Sequence, residues 1–542
     1  MGQLNLFGEK DIEDIREEEI SHKADSYTGL YALHKYWGKK PFNIMADFIG
    51  RYTNKGDIVL DPFLGSGVSI TEAIFNGRKG FGIDINPSAT FITEQILNKI
   101  DPRLLTAEFQ RIEKDIKDKI NSCYLVKRQN EHFIGQNYLW ENNSLTEVRY
   151  SNGLRNRHCS EPFESDIELS RSFAKGEINK YYPKNIFFHN SRINTKSTQN
   201  ISDLFTDRNL FALSLLYERI SKIENENLLK MFLFCFTSSI GQTSKMVFVI
   251  RKRNKTKANY NTNTSEKKEI GSWVIGYWQP NDFFENNVWT CFETRFKKIL
   301  KAKKDQFSLS LQYSSAIDFK ELQESKDYLI INEPAQHILQ EIPNNSIDYI
   351  LSDPPHGNRI PYLELSMLWN GWLRKEVNYD DEIIISEAKD RNKTATNYNL
   401  LLSSVIKECF RVLKADRCFS LMFNSLDDDA WGNIIKTFHE SGFDLLSIET
   451  IGYSANSVVQ DNRKNGLQTD FIITYKKPSL ITRKDKLKFV TLMDYPDSII
   501  QIIELKKKGY KSFQIINRII TDFLTQNSFI KISELLRVIE YA

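Results

Sequence analysis

Cysteine is scarce in this chain: six residues in 542, at positions 123, 159, 235, 291, 409 and 418, with no CxxC pair. That favours reduced thiols in a cytosol over a disulfide framework. Long apolar runs are lacking too. The most apolar region, residues 228–250, is broken by Thr237, Ser238, Gln242 and Lys245, so no membrane span is expected. The first residues, MGQLNLFGEKDIED, have neither the basic start nor the apolar core of a signal peptide. An excess of one charge is missing as well, since the formal net charge is only +3, and any case for nucleic acid rests on local clusters. No internal repeat is visible. What is present is ordinary for a globular protein, 41% hydrophobic and 26% charged residues, with length for two to four domains.

Two stretches stand out. Residues 347–366 read IDYILSDPPHGNRIPYLELS: an apolar run of strand length stops at Asp353-Pro354-Pro355, where two prolines remove backbone donors. A carboxylate is thereby expected at the carboxyl end of a buried strand, where open α/β sheets bind ligands. On its own Ser352-Asp353-Pro354-Pro355 is equally a strand-ending turn. Residues 58–67 read IVLDPFLGSG, a second apolar strand ending in Asp61-Pro62-Phe63 and a turn with Gly65, Ser66 and Gly67. Glycines admit close backbone approach to a ligand, and the amides opening the next helix suit an anion. A dinucleotide fingerprint would need a third glycine at a spacing this turn lacks. Some twenty residues on, Asp84 closes another strand and Asn86-Pro87 opens a helix; an acid there suits ribose hydroxyls.

Together the two loops resemble the amino-directed DNA methyltransferases, which use S-adenosylmethionine to methylate the exocyclic amine of adenine or cytosine. The resemblance covers roughly residues 27–475. It implies that Asp61 accepts from the cofactor's ammonium, that Asp84 holds its ribose, and that Glu333, or equally Asn332, lies near its adenine ring. It also implies that the Lys40-Pro41 helix start, beside Tyr36-Trp37, encloses the methionine end. Asp353 and the Pro354 carbonyl would accept hydrogen bonds from the amine of a flipped base, because its nitrogen lone pair is delocalised and needs that help. The family's fourth motif position is usually tyrosine; here it is His356, which can stack but covers less of the base, with Tyr362 assisting. The aspartate-led motif leans toward adenine.

The implied fold is α/β: a Rossmann-like methyltransferase sheet interrupted by a large inserted domain, plus a small helical C-terminal module. Residues 1–26 form a flexible tail, 27–100 the cofactor half, 101–325 the inserted DNA-recognition domain, 326–478 the catalytic half and 479–542 the accessory module. Strands are expected at 58–60, 81–85, 327–332, 347–353, 418–423, 445–451 and 470–475. The insert has no periodicity over 121–183. Some relatives carry a zinc ribbon there, but Cys123, Cys159, His132 and His158 are poorly spaced for tetrahedral zinc, so no metal is expected.

Two basic clusters, Arg251-Lys252-Arg253 with Lys255 and Lys257, and Lys297 through Lys304, are candidate double-stranded DNA contacts, with Trp273, Tyr277, Trp278 and Trp289 as aromatic surface. The alternative is a solvated loop and helix face. Near the start, Gln3-Leu4-Asn5-Leu6-Phe7 resembles the peptide with which bacterial proteins dock on the replication sliding clamp; the alternative is packing on the protein's own body. The family context adds a restriction endonuclease as a partner and a cytoplasmic, nucleoid-associated bacterial location. Two other classes stay open: an RNA amine methyltransferase, and a DNA-binding relative that lost turnover through His356.

Overall fold

The computed structural model describes residues 22–151, 157–252, 267–273, 276–309, 313–423, 428–453, 470–480, 487–510 and 512–541. Strands β1 (His22–Ala24), β2 (Ile58–Asp61), β3 (Lys79–Ile83), β4 (Tyr328–Ile331), β5 (Ile347–Ser352), β6 (Leu413–Phe423), β7 (Asp444–Tyr453) and β8 (Asp470–Lys476) form one sheet. Their order is β1-β7-β8-β6-β5-β2-β3-β4. Every neighbouring pair is parallel except those made by β8, which runs antiparallel to β6 and β7. The apolar runs IVLD of β2 and IDYILS of β5 are buried along their whole length, as central parallel strands covered on both faces must be. They pair directly, Tyr349 opposite Val59 and Ile350 opposite Leu60. From β2 the chain steps outward through β3 to β4, then returns to the other side of β2 as β5. The carboxyl ends of β2 and β5 thus flank a topological switch point, the crevice where such sheets take ligands.

Three helices frame that crevice. Helix α1 (Phe42–Tyr52) follows Pro41, whose fixed φ suits a helix start, and buries Ile44, Met45, Phe48 and Ile49 against Val59, Tyr349 and Leu351. Helix α2 (Val68–Phe75) leaves the glycine turn at Gly67, and α3 (Pro87–Leu97) is capped by the Asn86 side chain on the Ser88 amide. The second strand begins two residues earlier than expected and stops at Ile83. Gly80 and Gly82 belong to it because a Cβ there would lie 2.5 Å from Ile70 and 2.6 Å from Leu64. The segment expected as a tail ends in β1, which pairs with β7.

Residues 98–327 carry a long helix, Pro102–Ser122, the helices Asp207–Ile220, Glu226–Ile240 and Val288–Ser308, and a five-stranded antiparallel sheet. Their apolar faces run into one core with α3 and with α4 (Tyr362–Trp372), where Phe232, Phe234 and Leu213 meet Ile92, Trp369 and Trp372. At the other end, Pro496–Lys507, Ser512–Thr525 and Ile532–Tyr541 pack Ile516, Ile519 and Ile520 into the same core as Phe471 and Ile473 of β8. Among the described residues no helix is long and apolar enough to cross a membrane.

Candidate active site

At the switch point lies a cleft of about 800 Å3, counting its open mouth. Its floor is the first loop. Asp61, at the end of β2, is buried and accepts from the Phe63 amide (3.0 Å), from Ser352 Oγ (2.7 Å) and from Ser69 Oγ. Ser352 ends β5, so one carboxylate ties the two motif strands together. Asp84 follows β3 and takes the Gly65 amide at 2.7 Å and the Asn86 amide at 2.8 Å. Burial raises the proton affinity of both acids, and it pushes Asp84 up to about 7 against the pull of those two amides. Gly67 occupies the left-handed region at φ +71°, and a Cβ there would sit 2.2 Å from Thr93 of α3.

The second loop supplies the opposite wall. Asp353 and Pro355 line the cleft, together with Lys40, Tyr36 and Trp37 from the segment before α1. Lys40 Nζ pairs with Asp353 Oδ2, while His356 Nε2 lies 2.9 Å from Asp353 Oδ1. Tyr398 donates to the Pro355 carbonyl at 2.6 Å. Tyr362 opens α4 and stacks on Tyr36, ring centroids 6.1 Å apart at 21°.

Most expected site residues therefore meet at one rim. Lys40, Asp61, Pro62, Phe63, Gly65, Ser66, Asp84, Asn86, Asp353, Pro355 and Tyr362 all line the cleft. Gly67 and Pro41 start α2 and α1 and, like Pro354, are not part of that lining. Some placements differ from expectation. Lys40 reaches the expected catalytic carboxylate as well as the cleft. Asn86 is spent on structure: its amide group donates to Ser366 Oγ (2.7 Å) and Tyr36 Oη (3.2 Å) while its oxygen caps α3. Glu333 is exposed and off the cleft wall, because β4 stops at Ile331 and Asn332 turns back to the Asp84 carbonyl at 2.8 Å. Pro334, Ala335 and Gln336 line the cleft there instead. Tyr362, expected to assist against the base, sits beside Tyr36 in the cleft.

Sequence reasoning missed Glu382 and its neighbours Asp381 and Ile383, which close the cleft. Burial raises the Glu382 carboxyl, opposed by Arg391, which bridges it at 2.5 Å and Glu364 at 3.0 Å. No local motif marks that loop; Arg391, the Leu363 amide on Glu382 (3.0 Å) and Gln336 on the Asp381 carbonyl (3.1 Å) hold it in place.

Apart from Tyr362, the described residues among the expected DNA contacts lie off the cleft wall. Arg251 is held by Glu141 (2.8 Å) and Asp282 (2.6 Å). Lys252 ends the strand Val249–Lys252. Arg253, Lys255, Lys257 and the Gln3–Phe7 peptide lie outside the described residues. Trp273, Tyr277 and Trp289 are buried core residues, leaving Trp278 exposed. In the second cluster Lys297 pairs with Glu293 and Lys303 points inward, while Lys298, Lys301 and Lys304 are exposed. Among the described residues no three His, Cys, Asp or Glu side chains gather as a metal site.

Residues 8–95 match the family model described as DNA methylase, of the N6/N4 type. The type II methyltransferase M.MjaII of Methanocaldococcus jannaschii is 34% identical over 92 residues, 17% of this chain and 16% of its own length. The type II methyltransferase M2.LlaDCHI of Lactococcus lactis subsp. cremoris is 32% identical over 90 residues, 17% of this chain and 32% of its own. The chain thus spans at most about a third of the curated relatives it matches. Among solved structures, a putative DNA modification methylase from Thermus thermophilus aligns at 13% identity and a TM-score of 0.17, over 30% of this chain and 56% of that one.

Proposed function

We propose, from the match of residues 8–95 to the N6/N4 DNA methylase model, that the whole chain is a site-specific DNA methyltransferase using S-adenosylmethionine on the exocyclic amine of a flipped-out base, adenine preferred to cytosine. The observation carrying this is that Asp61 and Asp353, which belong to loops far apart in sequence, line one cleft at the switch point. The donor set fits the cofactor. Asp61 offers a buried acceptor for an ammonium, Asp84 one for ribose hydroxyls, and Phe63, Tyr36 and Pro334 offer apolar wall. When bound, S-adenosylmethionine supplies an electrophilic methyl carbon whose bonding pair leaves with sulfur, while the amine that takes the methyl sheds one proton. Asp353 accepts hydrogen bonds from that amine, makes its nitrogen more nucleophilic and stabilises the positive charge growing on it.

The flipped base enters at the mouth of the cleft, since a stacked duplex hides the amine. The exposed lysines of helix Val288–Ser308 are the remaining candidates among the described residues for backbone contact. Docking of the Gln3–Phe7 peptide on a sliding clamp, and pairing with a restriction endonuclease, belong to the same reading.

Purified protein with methyl-labelled S-adenosylmethionine should label duplex DNA, and hydrolysis of the product should release N6-methyladenine. Asp353→Ala should lower the rate at least about 10³-fold while cofactor affinity changes little. Label in RNA alone, or binding of DNA and cofactor without label, would reject the assignment.

A further inference from the structure

His356 stands where the related motif places a stacking aromatic, yet its geometry suits a different task. Its ring meets Phe423 edge-on, centroids 5.0 Å apart at 68°, and its Nε2 edge is directed at Asp353. The ring is not part of the cleft lining, whereas Asp353 is. On the far side, Arg359 Nη1 lies 3.4 Å from His356 Nδ1. A guanidinium can only donate, so Nδ1 is the acceptor and Nε2 carries the proton it gives to Asp353 Oδ1. Lys40 holds the other oxygen, Oδ2.

We propose that His356 and Lys40 are positioning residues that fix the Asp353 carboxylate as a preorganised acceptor, with Arg359 setting the tautomer of His356, and that His356 is not the base-stacking wall. A carboxylate has about four lone-pair positions. One neighbour on each oxygen locks its rotation and leaves a lone pair on each oxygen for the substrate amine. The side chains of Asp353 and His356 are 11% and 13% exposed, so substrate reaches the acid while bulk water competes little for these bonds. The planar partner for the base then falls to other side chains of the cleft, Tyr36 and Tyr362 being stacked there.

This rests on the methyltransferase reading, and the test separates the two. Two substitutions at one position oppose the roles. His356→Gln keeps a donor near the Nε2 position and lacks a ring face; His356→Phe keeps a ring face and lacks the donor. If His356 positions Asp353, kcat falls about tenfold or less in the glutamine variant and about 10²-fold in the phenylalanine variant, with KM for DNA little changed. Lys40→Arg should outperform Lys40→Met in the same way. A phenylalanine variant at least as active as the glutamine variant overturns the proposal in favour of stacking. In 15N-histidine spectra of the full chain, the signal removed by His356→Gln should be a neutral Nε2-protonated ring that shifts in Asp353→Ala. A signal indifferent to Asp353→Ala overturns the pairing. Wild-type protein that transfers no methyl group rejects the methyltransferase reading instead, and the spectra then decide the pairing alone.

Discussion

A methyl group on Gly67 would lie 2.2 Å from Thr93, and the residue's φ of +71° costs an L side chain about 1 kcal/mol or more before any contact is counted. Gly67→Ala should therefore lose about 2–4 kcal/mol in urea unfolding and weaken cofactor binding. Thr93→Ala in the same molecule should restore only part of this, because it removes the clash with the side-chain tip and not the backbone strain. Asp84 makes a different prediction. Its carboxyl is pushed from 3.8 up to about 7 in the folded protein, so the ligand-free fold loses this contribution as pH rises between those values. Ribose hydroxyls prefer the ionised acid, so cofactor affinity measured by calorimetry should rise up to tenfold per pH unit below 7 and level off above it; Asp84→Asn should flatten that slope. These acids were legible in the sequence because each ends an apolar run. Glu382 and Gln336 were not, because they reach the cleft through long-range anchors and carry no local signal.

At the scale of elements, the charge run in Val288–Ser308 shows how a pattern misleads. Lys303 looks like one more surface lysine, yet it is buried and its Nζ donates to the carbonyls of Gln95 (2.8 Å), Ile96 (3.0 Å) and Asn98 (2.7 Å) at the end of α3. The lysine closes the terminus of the helix whose start borders the cleft. Lys303→Met fills similar volume but takes this donor from the Gln95 and Asn98 carbonyls, while Ile96 keeps the Gln306 amide (3.0 Å), and it should lower stability in chemical denaturation by about 2–4 kcal/mol. The strands Glu131–Glu141 and Ser144–Ser151 were missed for another reason: polar, half-exposed strands lack strict alternation. Their turn was a usable signal, since Asn142 and Asn143 sit at φ 49° and 63°, the left-handed pair a two-residue hairpin demands. The central strands, apolar and ended by acids or prolines, were readable to within a few residues.

For the whole molecule, the residues between the two motif halves serve as scaffold for the site. They grip the segment before α1 at three points. Arg295 donates to the Leu33 carbonyl (3.1 Å), Lys35 to the Trp273 carbonyl (2.6 Å), and His34 Nε2 lies 3.1 Å from Thr237 Oγ1. Tyr36, Trp37 and Lys40 follow directly along the chain. Lys35→Ala with Arg295→Ala should thus weaken cofactor binding about tenfold in calorimetry, although neither residue lines the cleft.

The neighbouring strands β2 and β5 have a consequence for how the protein is made. The Ile58 amide meets the Asp348 carboxylate across 290 residues of chain. At ribosomal speeds of about 5–20 residues per second, the first loop emerges some tens of seconds before its partner exists. Until then β2 presents an apolar edge to solvent, a period in which a chaperone can bind, and a truncated message would yield the Asp61 half of the cleft without Asp353.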